Sequence, residues 1–503
     1  MMVNYLDDNR FSVGLRTGAQ YIEAIKNDGR RVFIDGKEVR DVTIHPAFSD
    51  AVRTIAGLYD ISSDPENSKL MTHTAPATGD VFNYIWCLPR DKADLHARRG
   101  AIERWSEATF GLMGRSPDHV AGFFAGWAMA PDVFARNGSL ELKQNLIRFY
   151  EFARARDIFI TYTIIPPQID RSKPMHMQNP PDLYAGVIDE RDNGIIIRGA
   201  QMLGTGTALS DYLNLSQITP VQPGDDAHAL NLVVPCNAPG LKIYSRRSYA
   251  SAANSVFDYP LATRFDETDS LVVFDDVFVP WEQVFVYKDI DTCRDQWWKT
   301  PAHAMGNHQS QIRLVTKLRL MMGLARRVSE MNGVTQIAEV QTLLGEMGSY
   351  AAMMEGLVDA QIATCTTNEN GYVEPGRQAL YAAIVLQSEA YPRMLEYLRE
   401  LCGGGVIQLP SSVTDFTNPE TRIDIERYIQ SPQYPATERV KLLKMIWELI
   451  GSEFAGRQEQ YEKFYAGPPF VVKKRMAMEY NFNKSDKLVN AALAGYDLDG
   501  RCD

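Results

Sequence analysis

The sequence predicts an α+β protein in which a helical segment, a strand-rich segment and a second helical segment follow one another. Three observations carry that prediction. Apolar residues recur every three to four positions up to about residue 156, the period becomes that of strands from about 157 to 280, and long amphipathic stretches return from 311. The 503 residues divide at those changes into 1–156 (mainly helical), 157–280 (β) and 281–503 (helical bundle). A chain of this length suits about three domains.

Taken in order, 16–26 reads as a helix ended by Asn27-Asp28-Gly29, and 31–42 as two short strands around an Asp35-Gly36 hairpin turn. Helices then dominate 49–156, where Ala101, Trp105, Ala108 and Leu112 share one face. Strands are expected at 158–165, 194–198, 229–234, 241–244 and 270–279, separated by Pro, Gly, Asn and Asp clusters. Farther on, Ile312, Val315, Leu318, Met321, Leu324 and Val328 repeat at helical spacing, as do Ile337, Val340, Leu344, Met347, Ala351, Met354 and Val358. Pro392 predicts a kink within 378–401, and Gly403-Gly404-Gly405 predicts a break after it.

Composition narrows the function. A net charge of −11 with both signs interspersed gives no support to a nucleic-acid or anionic-membrane partner. No run of 18 apolar residues appears, and residues 1–17 lack the apolar core of a signal peptide, so a cytoplasmic protein is expected. Cys87, Cys236, Cys293, Cys365, Cys402 and Cys502 are too scattered for a redox pair, a zinc knuckle or an iron–sulfur cluster, and no metal site is expected. Gly204-Thr205-Gly206 is too short for a dinucleotide turn and there is no P-loop, which excludes a nicotinamide site.

The run 111–119, Gly-Leu-Met-Gly-Arg-Ser-Pro-Asp-His, and Tyr162 in the strand-like stretch after it point to chemistry. Arg115 is a fixed cation, and His119 and Tyr162 are side chains able to exchange a proton with a phenol. A nearby cation favours ionisation of an aromatic hydroxyl and a base removes its proton, so the trio reads as a site for such a group. The bland alternatives are a helix-end salt bridge for Arg115, a capping or surface histidine, and a half-buried strand tyrosine.

Several segments now accumulate in one order: Arg16-Thr17-Gly18, Asp28-Gly29-Arg30, 43–48 (Thr-Ile-His-Pro-Ala-Phe), 114–118 (Gly-Arg-Ser-Pro-Asp), 167–171 (Pro-Gln-Ile-Asp-Arg), 257–261 (Phe-Asp-Tyr-Pro-Leu), 264–267 (Arg-Phe-Asp-Glu), Pro280-Trp281-Glu282 and 451–457 (Gly-Ser-Glu-Phe-Ala-Gly-Arg). With them the chain resembles, over nearly its whole length, the 4-hydroxyphenylacetate 3-monooxygenase oxygenase family. The resemblance implies an acyl-CoA dehydrogenase-like architecture with a middle β-barrel domain. It implies the oxygenase of a two-component system: a separate NAD(P)H-dependent reductase supplies reduced FAD by diffusion, and with dioxygen a flavin hydroperoxide hydroxylates a phenol ortho to its hydroxyl. A cytoplasmic homotetramer is implied as well.

Residue roles follow from the same resemblance. Arg115, His119 and Tyr162 would be catalytic and bind substrate, with Thr219 as a further substrate contact. The hydroxyphenylacetate enzymes carry Tyr and His where this chain has His119 and Tyr162, so base and donor are exchanged here and the identity of the phenol stays open. His308 is another candidate base, because chlorophenol and nitrophenol monooxygenases place a histidine in this stretch; ordinary helix-start polarity is its alternative. Flavin contacts are expected from Tyr162, Thr163 and Ile164, from Gln168 and Arg171, from Thr205 and Thr207, and from Ser452, Gly456 and Arg457. Other readings stay in play: a halophenol or nitrophenol monooxygenase that expels the para substituent, a non-catalytic flavin- or aromatic-binding relative, and a 4-hydroxybutyryl-CoA dehydratase, which would need cluster cysteines that 91–114 lacks.

Overall fold

A computed structural model describes residues 8–75, 78–250 and 253–496. Helix Gly18–Ile25 opens it, its first turn closed by a reciprocal cap: Gln20 N donates to Thr17 Oγ1 and Thr17 N donates to Gln20 Oε1. The hairpin follows, β1 (Arg31–Ile34) and β2 (Lys37–Val39), with Asp35 and Gly36 at φ 51° and 71° as its two-residue turn requires.

Helices Ser49–Ser63, Lys92–Ala108, Pro117–Ala128 and Leu140–Arg156 make up most of the first segment, with a small ribbon of β3 (Thr72–Thr74) and β4 (Val81–Asn83) between them. Ala101 and Trp105 are buried on one face as expected. Leu112 is buried too, but from the loop, because the helix stops at Ala108 and Phe110 and Gly111 take left-handed backbone. Spacing alone continued the helical face past its end.

Asp157 marks the change from helix to strand. It caps Leu140–Arg156 in left-handed conformation, and its buried carboxylate accepts from Trp86 Nε1 (3.0 Å) and Asn83 Nδ2 (3.2 Å). The next strand is thereby fixed against the helical segment.

The strands of the middle region are β5 (Ile160–Thr163), β6 (Gly186–Arg191), β7 (Gly194–Gln201), β8 (Tyr212–Ser216), β9 (Leu230–Pro235), β10 (Leu241–Ser245), β11 (Ser270–Pro280) and β12 (Val284–Tyr287). The expected β-barrel is instead two sheets, of order β2-β1-β10-β11-β7-β6 and β12-β9-β8-β5, with no closed barrel among the described residues. The early hairpin joins the larger sheet, β1 running parallel to β10, so the first segment supplies two strands to the second. Buried on both faces, β8 reads as an apolar-polar mixture, Tyr-Leu-Asn-Leu-Ser, and so escaped the strand pattern.

Beyond a last ribbon, β13 (Thr366–Thr367) and β14 (Val373–Glu374), the C-terminal segment is helical. Its central helix runs Ala302–Met331, starting nine residues before the amphipathic pattern does. Residues 302–318 are buried all round, so no polar face announces them. Ala338–Ala363 and Arg377–Cys402 pack beside it; the latter continues through Pro392 and ends before Gly403 (φ 56°). Helices Pro419–Tyr428, Ala436–Ile450, Glu453–Lys463, Pro469–Glu479 and Phe482–Leu493 complete the described chain. No helix there is long and apolar enough to cross a membrane. Cys87, Cys236, Cys293, Cys365 and Cys402 are free thiols; Cys502 lies outside the described residues.

Candidate active site

Three elements converge on Arg115. The residue sits in the turn before helix Pro117–Ala128, where Pro at the first helical position suits the missing N–H. His119 lies in that helix's first turn, and Tyr162 comes from β5. His119 Nε2 is 3.5 Å from Tyr162 Oη, and the Arg115 guanidinium lies 5.1 Å from the Tyr162 ring. The trio expected from sequence is one cluster.

Two residues not anticipated complete it. Tyr461 and Tyr465, from the end of helix Glu453–Lys463 and just beyond, cover Arg115 at 5.2 and 4.2 Å from its guanidinium carbon. Gly114 makes room for them, since a side chain there would run into the Tyr461 ring. Their signal was hidden because 346 and 350 residues separate them from Arg115.

Arg115 is buried, yet among the described residues no carboxylate meets its guanidinium. Nη2 donates weakly to Tyr465 O (3.5 Å), and Nη1 has no hydrogen-bond partner among the described residues. A buried orphan donor on a permanent cation is costly unless something polar occupies the place beside it. Burial and the Arg115 charge push the His119 imidazole well below its ordinary range, so it is neutral. Burial raises the Tyr162 phenol, with Arg115 opposing, so it stays protonated. Phe123 and Trp297 form the apolar wall, with Phe123 5.2 Å from the His119 ring, 5.6 Å from Tyr162 and 5.5 Å from Trp297, each edge to face.

A second cluster adjoins the first. Thr205 Oγ1 donates to Asp269 Oδ1 (2.7 Å), Arg457 donates to both Asp269 oxygens (3.0 and 2.8 Å), and Arg246 Nε adds a fourth bond (2.9 Å). Glu267 ties the clusters together, accepting from Arg115 N (2.5 Å) and Arg457 Nη1 (3.1 Å). Within the turn 204–207, Gly206 takes φ 74° and lies against Thr161 and the Arg115 carbonyl, while the buried Thr207 hydroxyl has no partner among the described residues. A bare glycine turn and an orphan hydroxyl are groups that fit a flavin, while Arg246 and Arg457 are answered by Asp266, Glu267 and Asp269.

The remaining expected residues are more dispersed. Thr163 Oγ1 donates to Met202 O (3.2 Å), and Ile164 O accepts from Ile218 N, which puts half-buried Thr219 beside the end of β5. Gln168 and Arg171 are exposed on the loop after β5. Ser452 caps helix Glu453–Lys463 through Ala455 N, and Gly456 is exposed one turn along, next to Arg457. His308 is fully buried and neither ring nitrogen has a partner among the described residues; the charged groups acting on it are Arg98 and Arg99. Its neighbour Gln309 faces His119 instead, since successive helical residues point about 100° apart.

Elsewhere, His73, Cys87 and Asp94 each bring one ligand atom within 4.8 Å of the others. Tetrahedral zinc ligands stand about 3.5 Å apart, so this set is looser than a zinc site.

Models of 4-hydroxyphenylacetate 3-hydroxylase match residues 17–286 (N terminal) and 293–494 (C terminal). The chain is 35% identical over 90% of its length, and 86% of the relative's, to a 4-hydroxyphenylacetate 3-monooxygenase oxygenase component of Pseudomonas aeruginosa. A crystal structure of such an oxygenase component, complexed with FAD and 4-hydroxyphenylacetate, superimposes with TM-score 0.90 at 32% identity, covering 95% of this chain and 98% of that one. An archaeal 4-hydroxybutyryl-CoA dehydratase shares the fold alone, at TM-score 0.87, 19% identity and 97% coverage of each chain.

Proposed function

The chain belongs to the 4-hydroxyphenylacetate 3-hydroxylase family, and from that membership we propose that it is the oxygenase of a two-component monooxygenase hydroxylating a phenol ortho to its hydroxyl. The observation that carries the site assignment is the buried Arg115 guanidinium with Nη1 unpartnered beside a neutral histidine and a protonated tyrosine. A substrate hydroxyl placed there gains a cation that favours its ionised form. His119 Nε2 takes its proton, and Tyr162 donates a hydrogen bond to the resulting oxygen. The ionised ring is then the better nucleophile.

Bound reduced FAD supplies, with dioxygen, the transferred oxygen atom and the two reducing equivalents. Thr205, Thr207, Arg457 and the backbone of 162–164 would hold it, with Gln168, Arg171, Ser452 and Gly456 at its margin and Thr219 toward the substrate. Phe123, Trp297, Tyr461 and Tyr465 keep water from the reacting atoms. His308, buried with no hydrogen-bond partner among the described residues, is given no part in proton transfer in this reading.

In this reading reduced flavin is supplied by a separate NAD(P)H-dependent reductase, and a cytoplasmic location of both proteins would suit that supply. Association of copies, for which a homotetramer is the form proposed, is supported by one C-terminal helix: Phe482–Leu493 has no buried residue and exposes Phe482, Leu488, Val489 and Leu493. Such a helix calls for a second copy of the chain to cover it.

The test is turnover of a panel of phenols, including 4-hydroxyphenylacetate and halo- and nitrophenols, with FAD, NADH and a generic flavin reductase. Products one oxygen heavier support the reading, and loss of a halide or nitro group would assign the para-expelling variant. Hydrogen peroxide alone with every phenol would sink it.

A further inference from the structure

A histidine acts as a base only through the ring nitrogen that lacks the proton, and the groups around His119 determine which one that is. Gln309 lies 3.1 Å from Nδ1 through Oε1. Its Nε2 donates to Asp118 Oδ1 at 3.0 Å, and the same oxygen accepts from Ser116 Oγ at 2.5 Å. An ionised carboxylate only accepts. The amide therefore has one orientation, nitrogen to Asp118 and oxygen to His119.

The second neighbour of Nδ1 is Tyr465 Oη, at 3.4 Å. Its single proton goes to Gly114 O at 2.7 Å, so toward His119 it also only accepts. With acceptors on both sides, Nδ1 carries the hydrogen. Nε2 is left as a lone pair facing Tyr162 Oη.

We propose that Gln309, itself held by Asp118, is a positioning residue that keeps the His119 proton on Nδ1 and presents Nε2 to the substrate hydroxyl. This rests on the reading of His119 as the base. All three side chains are buried, so water offers no substitute for any link. Burial pushes the Asp118 carboxyl up to about 6, against Ser116, Gln309 and the Arg98 charge from helix Lys92–Ala108. The lock is therefore complete above that pH and weakens below it. The other charges facing His119 are Arg115 from the preceding turn and Arg313 from the long helix, with His303 also acting on it.

The experiment is a double-mutant cycle read by hydroxylated product per reduced FAD consumed. Gln309→Leu is expected to lower the hydroxylation rate about 10- to 100-fold when His119 is present, the span of a general base made less effective. In the His119→Phe background the same change should cost about 2-fold or less, as for residues acting in series. Gln309→Glu keeps an acceptor on Nδ1 but loses the donor to Asp118, so it should rescue part of the rate. Its charge favours the imidazolium, so the acid limb of the pH profile should move to higher pH. Equal losses from Gln309→Leu in both backgrounds, or an unmoved profile for Gln309→Glu, would overturn the positioning role alone. If His119→Phe by itself leaves hydroxylation unchanged, the underlying reading falls and this role with it.

Discussion

Arg313 and Arg115 are both buried and both lie against Tyr465, at 5.1 and 4.2 Å, but their partners differ. Arg313 donates twice to Glu462, at 2.8 and 2.7 Å, and Glu462 also accepts from Lys317 and Gln387. Among the described residues the Arg115 guanidinium has only rings and one carbonyl, with Nη1 unpartnered. The first region is closed by a counter-charge: Glu462 answers Arg313 and Lys317 and pins helix Glu453–Lys463 to the long helix, although Arg313 Nε has no hydrogen-bond partner among the described residues. The second is open, because no carboxylate among those residues answers the guanidinium. Against one tyrosine ring, the same side chain is structural where its charge is answered and available for chemistry where it is not.

The largest effect is expected on the closed side. Glu462→Gln leaves Arg313 and Lys317 buried without a counter-charge and should cost about 3–5 kcal/mol of unfolding free energy, read by chemical denaturation. Despite burial, Arg313 and Lys317 hold the Glu462 carboxyl down at about 2 from an ordinary 4.5. Its stabilisation is thus full above about 4.5 and lost as pH falls toward 2, and the variant should lack that acid-sensitive part. A loss no greater than that of an exposed pair would erase the distinction.

On the open side the expectation inverts: Arg115→Ala should leave the unfolding midpoint nearly unchanged while hydroxylation falls about 100-fold or more, reduced FAD yielding hydrogen peroxide instead. Arg115→Lys should recover only part, because a point charge lacks the planar fork. Normal product yield from Arg115→Ala would remove the cation from the proposal.

Much of this arrangement could be read in the chain beforehand, and the part that could not shares one cause. Arg115, His119 and Tyr162 were legible because a short run and a strand carry them, and Thr205 and Arg457 were legible as separate flavin-contact candidates through the family segments, but not their shared partner Asp269. Gln309, Tyr461, Tyr465, Glu267 and Asp269 were not, because their meaning arises only where separate elements meet. The start of the central helix was missed for a related reason: polar residues such as Gln309 and Gln311 are buried there, Gln309 Nε2 donating to Asp118 and Gln311 Nε2 to Gln387. The barrel expectation failed at the hairpin 31–39, whose local pattern fixed its turn but not the strand it would join.

His119→Phe should produce a smaller, pH-dependent change. Without the imidazole, ionisation of the phenol depends on solvent, so the pH at which hydroxylation becomes efficient should rise while the high-pH rate stays closer to that of the unmodified enzyme. An unchanged pH–rate profile would argue that Arg115 alone suffices.

The smallest effect is predicted for a pair whose geometry rivals that of Arg313. Arg198 donates to both oxygens of Asp276, at 2.6 and 2.8 Å, but on the exposed face of the larger sheet. Water solvates both charges whether or not they pair, and holding two side chains still offsets most of the attraction. Arg198→Ala should therefore leave the denaturation midpoint within experimental error, and added salt should not change that result. The comparison turns on this control, because it separates hydrogen-bond geometry from burial. If Arg198→Ala destabilised the protein as much as Glu462→Gln, bidentate geometry would be the source of stability at Arg313 as well, and the unanswered charge at Arg115 would lose its special meaning.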